Sequence, residues 1–326
     1  MKPPSFWQTP EGRPHPLARA LLPISKVYAA RVAAKIARHR PYLAGIPVIC
    51  VGNVTLGGVG KTPFTASLAH RLKRRGRSPM ILMRGYGGRL KGPVRVTSTH
   101  EAAEVGDEAV MLSRDWPVII AADRPAGARL AVEAGADVIV MDDGFQNPSL
   151  RKDLSFLVVD AAAGLGNGLV FPAGPLREAA GAAMARADAL VMVGDGPVPD
   201  ALGEMTAPVL RARLRAIVPE TLIGQRALAF CGIGRPQKFF DDLARQGVDL
   251  VATRAFADHH PYTQNDIAQL SSAAAAEEAL LVTTRKDRAR LSPALCADLV
   301  EVDARFDLET ETPLDLLLET VLKDRS

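Results

Sequence analysis

Twelve consecutive residues limit what this chain can fold into more than anything else in it: Val51-Gly52-Asn53-Val54-Thr55-Leu56-Gly57-Gly58-Val59-Gly60-Lys61-Thr62. A short apolar run at 47–51 ends in a glycine-rich turn. The turn opens a predicted helix at 62–75, which Gly76 stops at the position expected of a C-terminal cap. Strand, glycine turn and helix in that order make a phosphate-binding loop. The glycines let backbone N–H groups turn inward around phosphate oxygens, and the helix N-terminus adds positive potential. Lys61 can reach the β- and γ-phosphates of ATP, and the Thr62 hydroxyl can ligate Mg2+. Thr55, Leu56, Gly57, Gly58, Val59, Gly60, Lys61 and Thr62 are therefore the candidate nucleotide contacts. The eight-residue pattern ordinarily begins with Gly; Thr55 stands there instead, so the turn must accommodate a side chain.

The rest of the chain repeats the strand–helix alternation. Apolar runs at 80–83, 118–121, 138–141, 156–159 and 190–193 have the length of buried strands, and helical or glycine-rich stretches separate them. This periodicity predicts an α/β fold: a P-loop-type, mostly parallel sheet with helices on both faces. Around 207–220 the pattern changes to one with Arg211, Arg213 and Arg215 in alternation, which reads as an exposed linker strand. Runs at 227–231, 250–252 and 280–283 then predict a second, smaller α/β domain. The expected organisation is a basic N-terminal arm at 1–40, a P-loop kinase-type domain at 41–206, a linker strand at 207–220 and the smaller domain at 221–326.

With 326 residues, 48% of them hydrophobic and 23% charged, the chain has the make-up of an ordered globular protein. Aromatics are only 5%, against an aromatic-lined groove for bases. The charge is uneven. Residues 1–40 hold eight Lys or Arg against the single acid Glu11, a net +7 that leaves the other 286 residues at −3. Basicity confined to one arm does not suit a nucleic-acid-binding surface. Leu17, Leu21, Ile24, Tyr28, Val32 and Ile36 fall mostly on one helical arc, although Lys35 shares that arc and Pro23 interrupts it early. Such a helix either packs on the domain or lies in a membrane interface with its cations on anionic headgroups, and the lopsided charge favours the second. No apolar run is long enough to span a bilayer, and no cleavable export signal is present. Cys50, Cys231 and Cys296 have no metal-type spacing and read as buried thiols in a reducing compartment. A cytoplasmic protein, free or attached to the membrane from that side, is expected; the sequence leaves its oligomeric state open.

Four further clusters carry potential chemistry. An apolar run at 138–141 delivers Asp142 and Asp143 at its C-terminal end, where a P-loop protein holds Mg2+ through a carboxylate. On an extended chain the two would point to opposite sides, so one of them faces the metal. Arg84-Gly85-Tyr86-Gly87-Gly88 follows a strand and could present Arg84 and Tyr86 to a substrate. Gly106-Asp107-Glu108 opens a helix, with Asp107 a candidate general base. Asp258-His259-His260 lies in the second domain, and a lone His pair is more often a surface feature.

Taken in order, GNVTLGGVGKTP, RGYGG, VGDE, DDGFQN, GNGLVFPAGPLRE, FADHHPYT and TTRKD resemble the tetraacyldisaccharide 4′-kinases of lipid A biosynthesis over nearly the whole chain. The resemblance implies transfer of the ATP γ-phosphate to the 4′-hydroxyl of a tetraacylated glucosamine disaccharide 1-phosphate, at the cytoplasmic face of the inner membrane of Gram-negative bacteria. It implies that Thr55 to Thr62 hold ATP and that Glu108, Asp142 and Asp143 surround Mg2+. Asp107 would act as base with His259 as partner, the first of the two histidines being taken. Tyr86, Arg177 and Glu178 would line the site. Asn147 stands where His is commoner in the family and receives no role. Two other readings share part of these features. A P-loop ATPase or GTPase switch or partitioning protein also carries GGVGKT but has no use for Asp107 and His259. A membrane-docked binding module in which ATP only sets conformation needs Lys61 and not Asp107.

Overall fold

The alternation of apolar runs and helices produces an α/β fold on a mixed, mostly parallel sheet, of twelve strands among the described residues. The structure is a computed structural model, and it describes residues 4–202, 207–291, 295 and 299–323. The first elements are α1 (Pro16–Arg38), β1 (Val48–Gly52), α2 (Lys61–Arg74), β2 (Pro79–Met83), β3 (Val94–Arg95), α3 (Ala102–Val105) and α4 (Asp107–Ser113). Next come β4 (Val118–Ile120), α5 (Arg124–Glu133), β5 (Val138–Asp142), β6 (Leu154–Asp160), α6 (Ala180–Met184), β7 (Ala189–Val193) and β8 (Val209–Ile217). The chain ends with β9 (Arg226–Cys231), α7 (Pro236–Arg245), β10 (Asp249–Ala255), α8 (Gln264–Ala276), β11 (Leu280–Thr284), α9 (Arg285–Arg288), β12 (Leu299–Leu308) and α10 (Thr312–Lys323). Across the sheet the order is β10-β9-β11-β12-β8-β7-β6-β1-β5-β2-β4-β3. Among the described residues only β3 with β4 and β8 with β12 pair antiparallel.

Every residue of β1, β2, β5, β6 and β7 is buried, as strands covered on both faces must be. On one face Phe64, Leu68 and Leu72 of α2 and Leu314, Leu318 and Leu322 of α10 pack on Ile49, Val51, Phe156 and Val158. On the other, alanines of α5 and α6 let those helices approach Cys50, Met141, Leu157 and Val159 closely. The thiols of Cys50 and Cys231 are free and buried; Cys296 lies outside the described residues.

The expected linker strand forms, but it is an interior strand of the sheet with only one face exposed. β8 sits inside the sheet, its Leu210 and Ala212 buried against the core while Arg213 and Arg215 face out. The alternation of Arg with Leu and Ala is the period-two pattern of a strand with one covered face. Its first half pairs with β7 (Val193 beside Ala212), and its second half pairs with β12 (Asp303 beside Ile217, Leu308 beside Ala212). On β12, Val302 lies beside Thr284 at the end of β11. The antiparallel ribbon thus begins where β7 ends and finishes where β11 ends, about 20 Å away at roughly 3.3 Å per residue. The C-terminal edges of the two groups of strands therefore face each other across it.

α1 docks by a narrow face, with only Ala18 and Ser25 buried. Ser25 Oγ accepts a hydrogen bond from the Ala173 N–H at 3.0 Å, and Trp7 Nε1 donates to the Pro172 carbonyl at 3.0 Å. Leu17, Ile24 and Val27 are more than half exposed. Among the described residues no helix is long and apolar enough to cross a membrane.

Phe64 sits at the centre of this arrangement, its ring 5.2 Å from that of Phe156 and 4.9 Å from that of Phe306. We predict that Phe64→Ala destabilises the protein by about 3–5 kcal/mol in urea unfolding; a loss below about 1 kcal/mol would mean that α2 and β12 are not joined through this cluster.

Candidate active site

The glycine loop leaves β1 at the crossover of the sheet, between β5 and β6, where open α/β sheets bind ligands. Gly57 and Gly60 have φ of +120° and +91°, which a side chain would resist. Thr55 has no such φ and forms an antiparallel bridge with Leu176, and the Leu56 N–H donates to the Pro175 carbonyl at 2.8 Å. That is how the loop accommodates a side chain where Gly is usual. Asn53, fully buried, braces the turn by donating to the Thr55 carbonyl at 2.6 Å, and it accepts from Lys61 Nζ at 3.1 Å. Lys61 Nζ is also 3.6 Å from Asp143.

Asp142 ends β5 level with Val51, and its Oδ2 accepts from the Thr62 hydroxyl at 3.0 Å. Its Oδ1 is buried without a hydrogen-bond partner. Burial, and then repulsion from Glu108, raise Asp142 above the usual carboxylate range, against the pull of Lys61. A buried carboxylate with surplus negative charge beside it is relieved by a cation. Among the described residues no three His, Cys, Asp or Glu side chains converge to cage a metal alone. A Mg2+ shared with phosphates and waters needs only one or two protein oxygens, and Thr62 with Asp142 fits that demand. Asp143 does not continue the extended strand as expected. It turns into the left-handed region at φ +50°, and its carboxylate accepts from Arg177 at 2.8 Å on the Lys61 side. Both carboxylates therefore attend the phosphate loop.

Asp107 begins α4 immediately after Gly106, whose φ is +92° and where an added Cβ would lie 2.4 Å from the Tyr86 carbonyl oxygen. The RGYGG turn thus packs directly on the start of that helix. His259 Nδ1 lies 2.8 Å from Asp107 Oδ2, across 152 residues of sequence. His259 holds φ at +58°, the kind of left-handed backbone that persists only where surroundings enforce it. Lys286 Nζ lies 3.3 Å from His259 Nε2 and 3.1 Å from Glu108. An ammonium has only protons to offer, so Nε2 is the acceptor and Nδ1–H donates to Asp107. Arg290 Nε donates to the same Asp107 oxygen at 2.6 Å. Burial alone would push Asp107 up, but the His259 hydrogen bond and the charges of Lys286 and Arg290 hold its carboxyl well below the ordinary range. Burial likewise works against the charge on Lys286, yet Glu108, Asp107 and Asp258 raise its pKa above the ordinary value. A cavity of about 320 Å³ runs from Gly58–Thr62 past Glu108 to Lys286, floored by Leu214 and Ala216 of β8 and Val302 of β12.

A family model described as LpxK, tetraacyldisaccharide-1-P 4′-kinase, matches residues 17–323. A tetraacyldisaccharide 4′-kinase of Methylorubrum extorquens (strain PA1) is 52% identical over 95% of this chain and 96% of its own length. The chain belongs to the tetraacyldisaccharide 4′-kinase family. Another relative of that name, from Rhodopseudomonas palustris (strain BisB5), is 47% identical over all of this chain and 98% of its own. The fold matches a crystal structure of the "apo" form of LpxK from Aquifex aeolicus in complex with ATP, with a TM-score of 0.76 and 26% identity over 94% of this chain and 99% of that one.

The remaining residues that the 4′-kinase motifs pointed to divide into two groups. Tyr86 is three-quarters exposed, with its ring 6.2 Å from that of His259, and Arg84 is exposed at the end of β2. Arg177 reaches Asp143, and its N–H donates to the Val54 carbonyl at 2.7 Å. Glu178 stands apart: it is 4% exposed and gripped by both 2.9 Å bonds of Arg186, with Gln146 at 3.1 Å, so here it braces the turn after β5. His260 Nε2 lies 3.3 Å from Asp266, whereas His259 is the histidine that meets Asp107. Asn53, Gln146, Lys286 and Arg290 were given no role from sequence. The dense Arg and Lys of 285–290 directly after an apolar run was the available signal for the last two.

Because the α3–α4 turn has no room for a side chain, we predict that Gly106→Ala lowers stability by more than about 1 kcal/mol in urea unfolding. Wild-type stability would show that the turn can relax away from Tyr86.

Proposed function

We infer that the chain is an ATP-dependent kinase of lipid A biosynthesis, transferring the γ-phosphate to the 4′-hydroxyl of a tetraacyldisaccharide 1-phosphate. The observation that carries the mechanism is the Asp107–His259 pair, joined from two distant segments beside the phosphate loop. A hydrolytic switch or a conformational ATP sensor has no need of it. In this reading the amides of residues 55–62 and Lys61 hold and neutralise the phosphates of ATP. Thr62 and Asp142, with Glu108 and Asp143 nearby, hold Mg2+, which when bound supplies further neutralisation of phosphate charge.

A sugar hydroxyl is a poor nucleophile at neutral pH, so its proton needs an acceptor as the new bond forms. Asp107 takes that proton while the 4′-oxygen bonds to the γ-phosphorus and the bond to the bridging oxygen of ADP breaks. His259, donating through Nδ1, keeps the carboxylate oriented. Arg84, Tyr86 and Arg177 border the acceptor side. The segments at 41–206 and 221–291 act as two units meeting over the nucleotide, with β8 and β12 as their connection and α10 packed back on the first unit rather than on the smaller one. The enzyme works from the cytoplasmic face of the inner membrane, where α1 lies in the interface. The exposed Leu17 and Ile24, about a quarter turn from the docked Ala18 and Ser25, and Val27, about half a turn from them, support that placement.

Radiolabel from γ-labelled ATP should pass to a detergent-solubilised tetraacyldisaccharide 1-phosphate. In that assay we expect Asp107→Ala to keep ATP affinity while turnover falls by roughly 10²–10⁴, and Lys61→Ala to weaken ATP binding by at least about tenfold in calorimetry. Near-normal turnover of the Asp107 variant would remove it as the base. Replacing Leu17, Ile24 and Val27 together by Ser should leave the melting temperature unchanged and release the protein from anionic vesicles. Undiminished co-sedimentation would assign membrane contact to another surface.

A further inference from the structure

We propose that Arg290 is a positioning residue for phosphoryl transfer, a strut that fixes the Asp107 carboxylate to a buried platform around Asp287. This rests on Asp107 being the base.

Arg290 is 94% buried in its side chain by geometry, only 6% of it being exposed. Its guanidinium serves two sides at once. Nε donates to Asp107 at 2.6 Å, while Nη1 donates to the Gly232 carbonyl and to Asp287 Oδ1, both at 2.9 Å. Asp287 is fully buried. The same Oδ1 accepts from the Gly232 N–H at 2.8 Å and from the Tyr262 hydroxyl at 2.8 Å, and Oδ2 accepts from the Thr284 hydroxyl at 2.5 Å. Those partners come from the ends of β9 and β11 and from the turn after β10. The platform therefore cannot shift without breaking several buried bonds at once.

Asp107 has little freedom of its own. Oδ1 accepts from the Glu108 N–H at 2.9 Å, and Oδ2 is shared by His259 and Arg290. His259 is over a third exposed in its side chain and sits on a turn, so it cannot be the rigid member. Arg290 supplies the stiffness, because its planar group joins Asp107 through Nε to Gly232 and Asp287 through Nη1, while Nη2 is buried without a hydrogen-bond partner. A lysine cannot do the same: one ammonium on a flexible stem does not span Asp287, Gly232 and Asp107 in fixed directions. Arg290 acts through Asp107: its hydrogen bonds go to that carboxylate, to the Gly232 carbonyl and to Asp287.

The test compares Arg290→Lys, Arg290→Met, Asp107→Asn and the Asp107→Asn/Arg290→Met double variant, all as full chains, in the γ-labelled ATP assay with detergent-solubilised lipid. Misplacing a reacting group by about 1 Å can cost roughly a hundredfold in rate. We expect Arg290→Met to lower kcat by about ten- to a hundredfold with the KM for ATP within about twofold of wild type. Arg290→Lys should keep the charge and the fold yet lose at least about fivefold in kcat. In the Asp107→Asn background, Arg290→Met should cost less than about twofold, because the residue acts only through the missing carboxylate. Wild-type kcat in Arg290→Lys, or an undiminished penalty in the double variant, would overturn the proposal. If Arg290→Met does not fold, the lysine variant alone decides. Wild-type turnover in Asp107→Asn would instead overturn the base reading beneath it.

Discussion

The antiparallel pairing of β8 with β12 is the constraint on which the rest depends. A parallel sheet offers ligands one edge, the one where its strands end. Here the later strands run opposite to the earlier ones, so without an offset their ligand edges would lie on opposite sides. The ribbon supplies the offset by extending past β7 before β11 begins, as the pairings of Ala212 with Val193 and of Thr284 with Val302 record. Both ligand edges then open into one cleft. The phosphate loop and Asp142 come from one side of it, and His259, Lys286 and Arg290 come from the other.

The two sides meet mainly through charge. α4 presents Asp107, Glu108 and, just beyond its end, Asp115; α9 and the residue after its turn present Arg285, Lys286 and Arg290. Glu108 and Asp107 are each close to a cation of the opposite side, and Asp115 is held by Arg285 at 2.5 Å. Ion pairs of this kind are weak stabilisers when exposed, but partly buried and hydrogen-bonded they fix register well. They fix the one register in which a histidine from one side meets a carboxylate from the other.

Much of this was legible before any coordinates. The glycine-rich loop, the Asp142–Asp143 pair at the end of β5 and the strand–helix alternation all rest on local pattern, and local pattern survives in sequence. The misjudgements have local causes too. The alternating arginines of β8 suggest full exposure, but Leu210 and Ala212 between them are what the core covers. Asp143 was assigned the geometry of an extended chain, and its left-handed turn is imposed by Lys61 and Arg177. The roles of Arg290 and Lys286 are not legible in the basic run that contains them, since what matters about them is contact across more than 170 residues with α4. Pairing at that separation leaves no trace in spacing.

The loop from Asn167 to Arg177 has a quieter consequence. At one end it is held by Trp7, Ser25 and the backbone of Phe6; at the other it bridges Thr55 and ties its Arg177 N–H to Val54. One short stretch of chain is thus fastened both to the amino-terminal helix and to the nucleotide turn, with no slack between. With that helix seated at a lipid surface, the turn would ride at a set height above it, much as a stylus is carried at a set height by its arm.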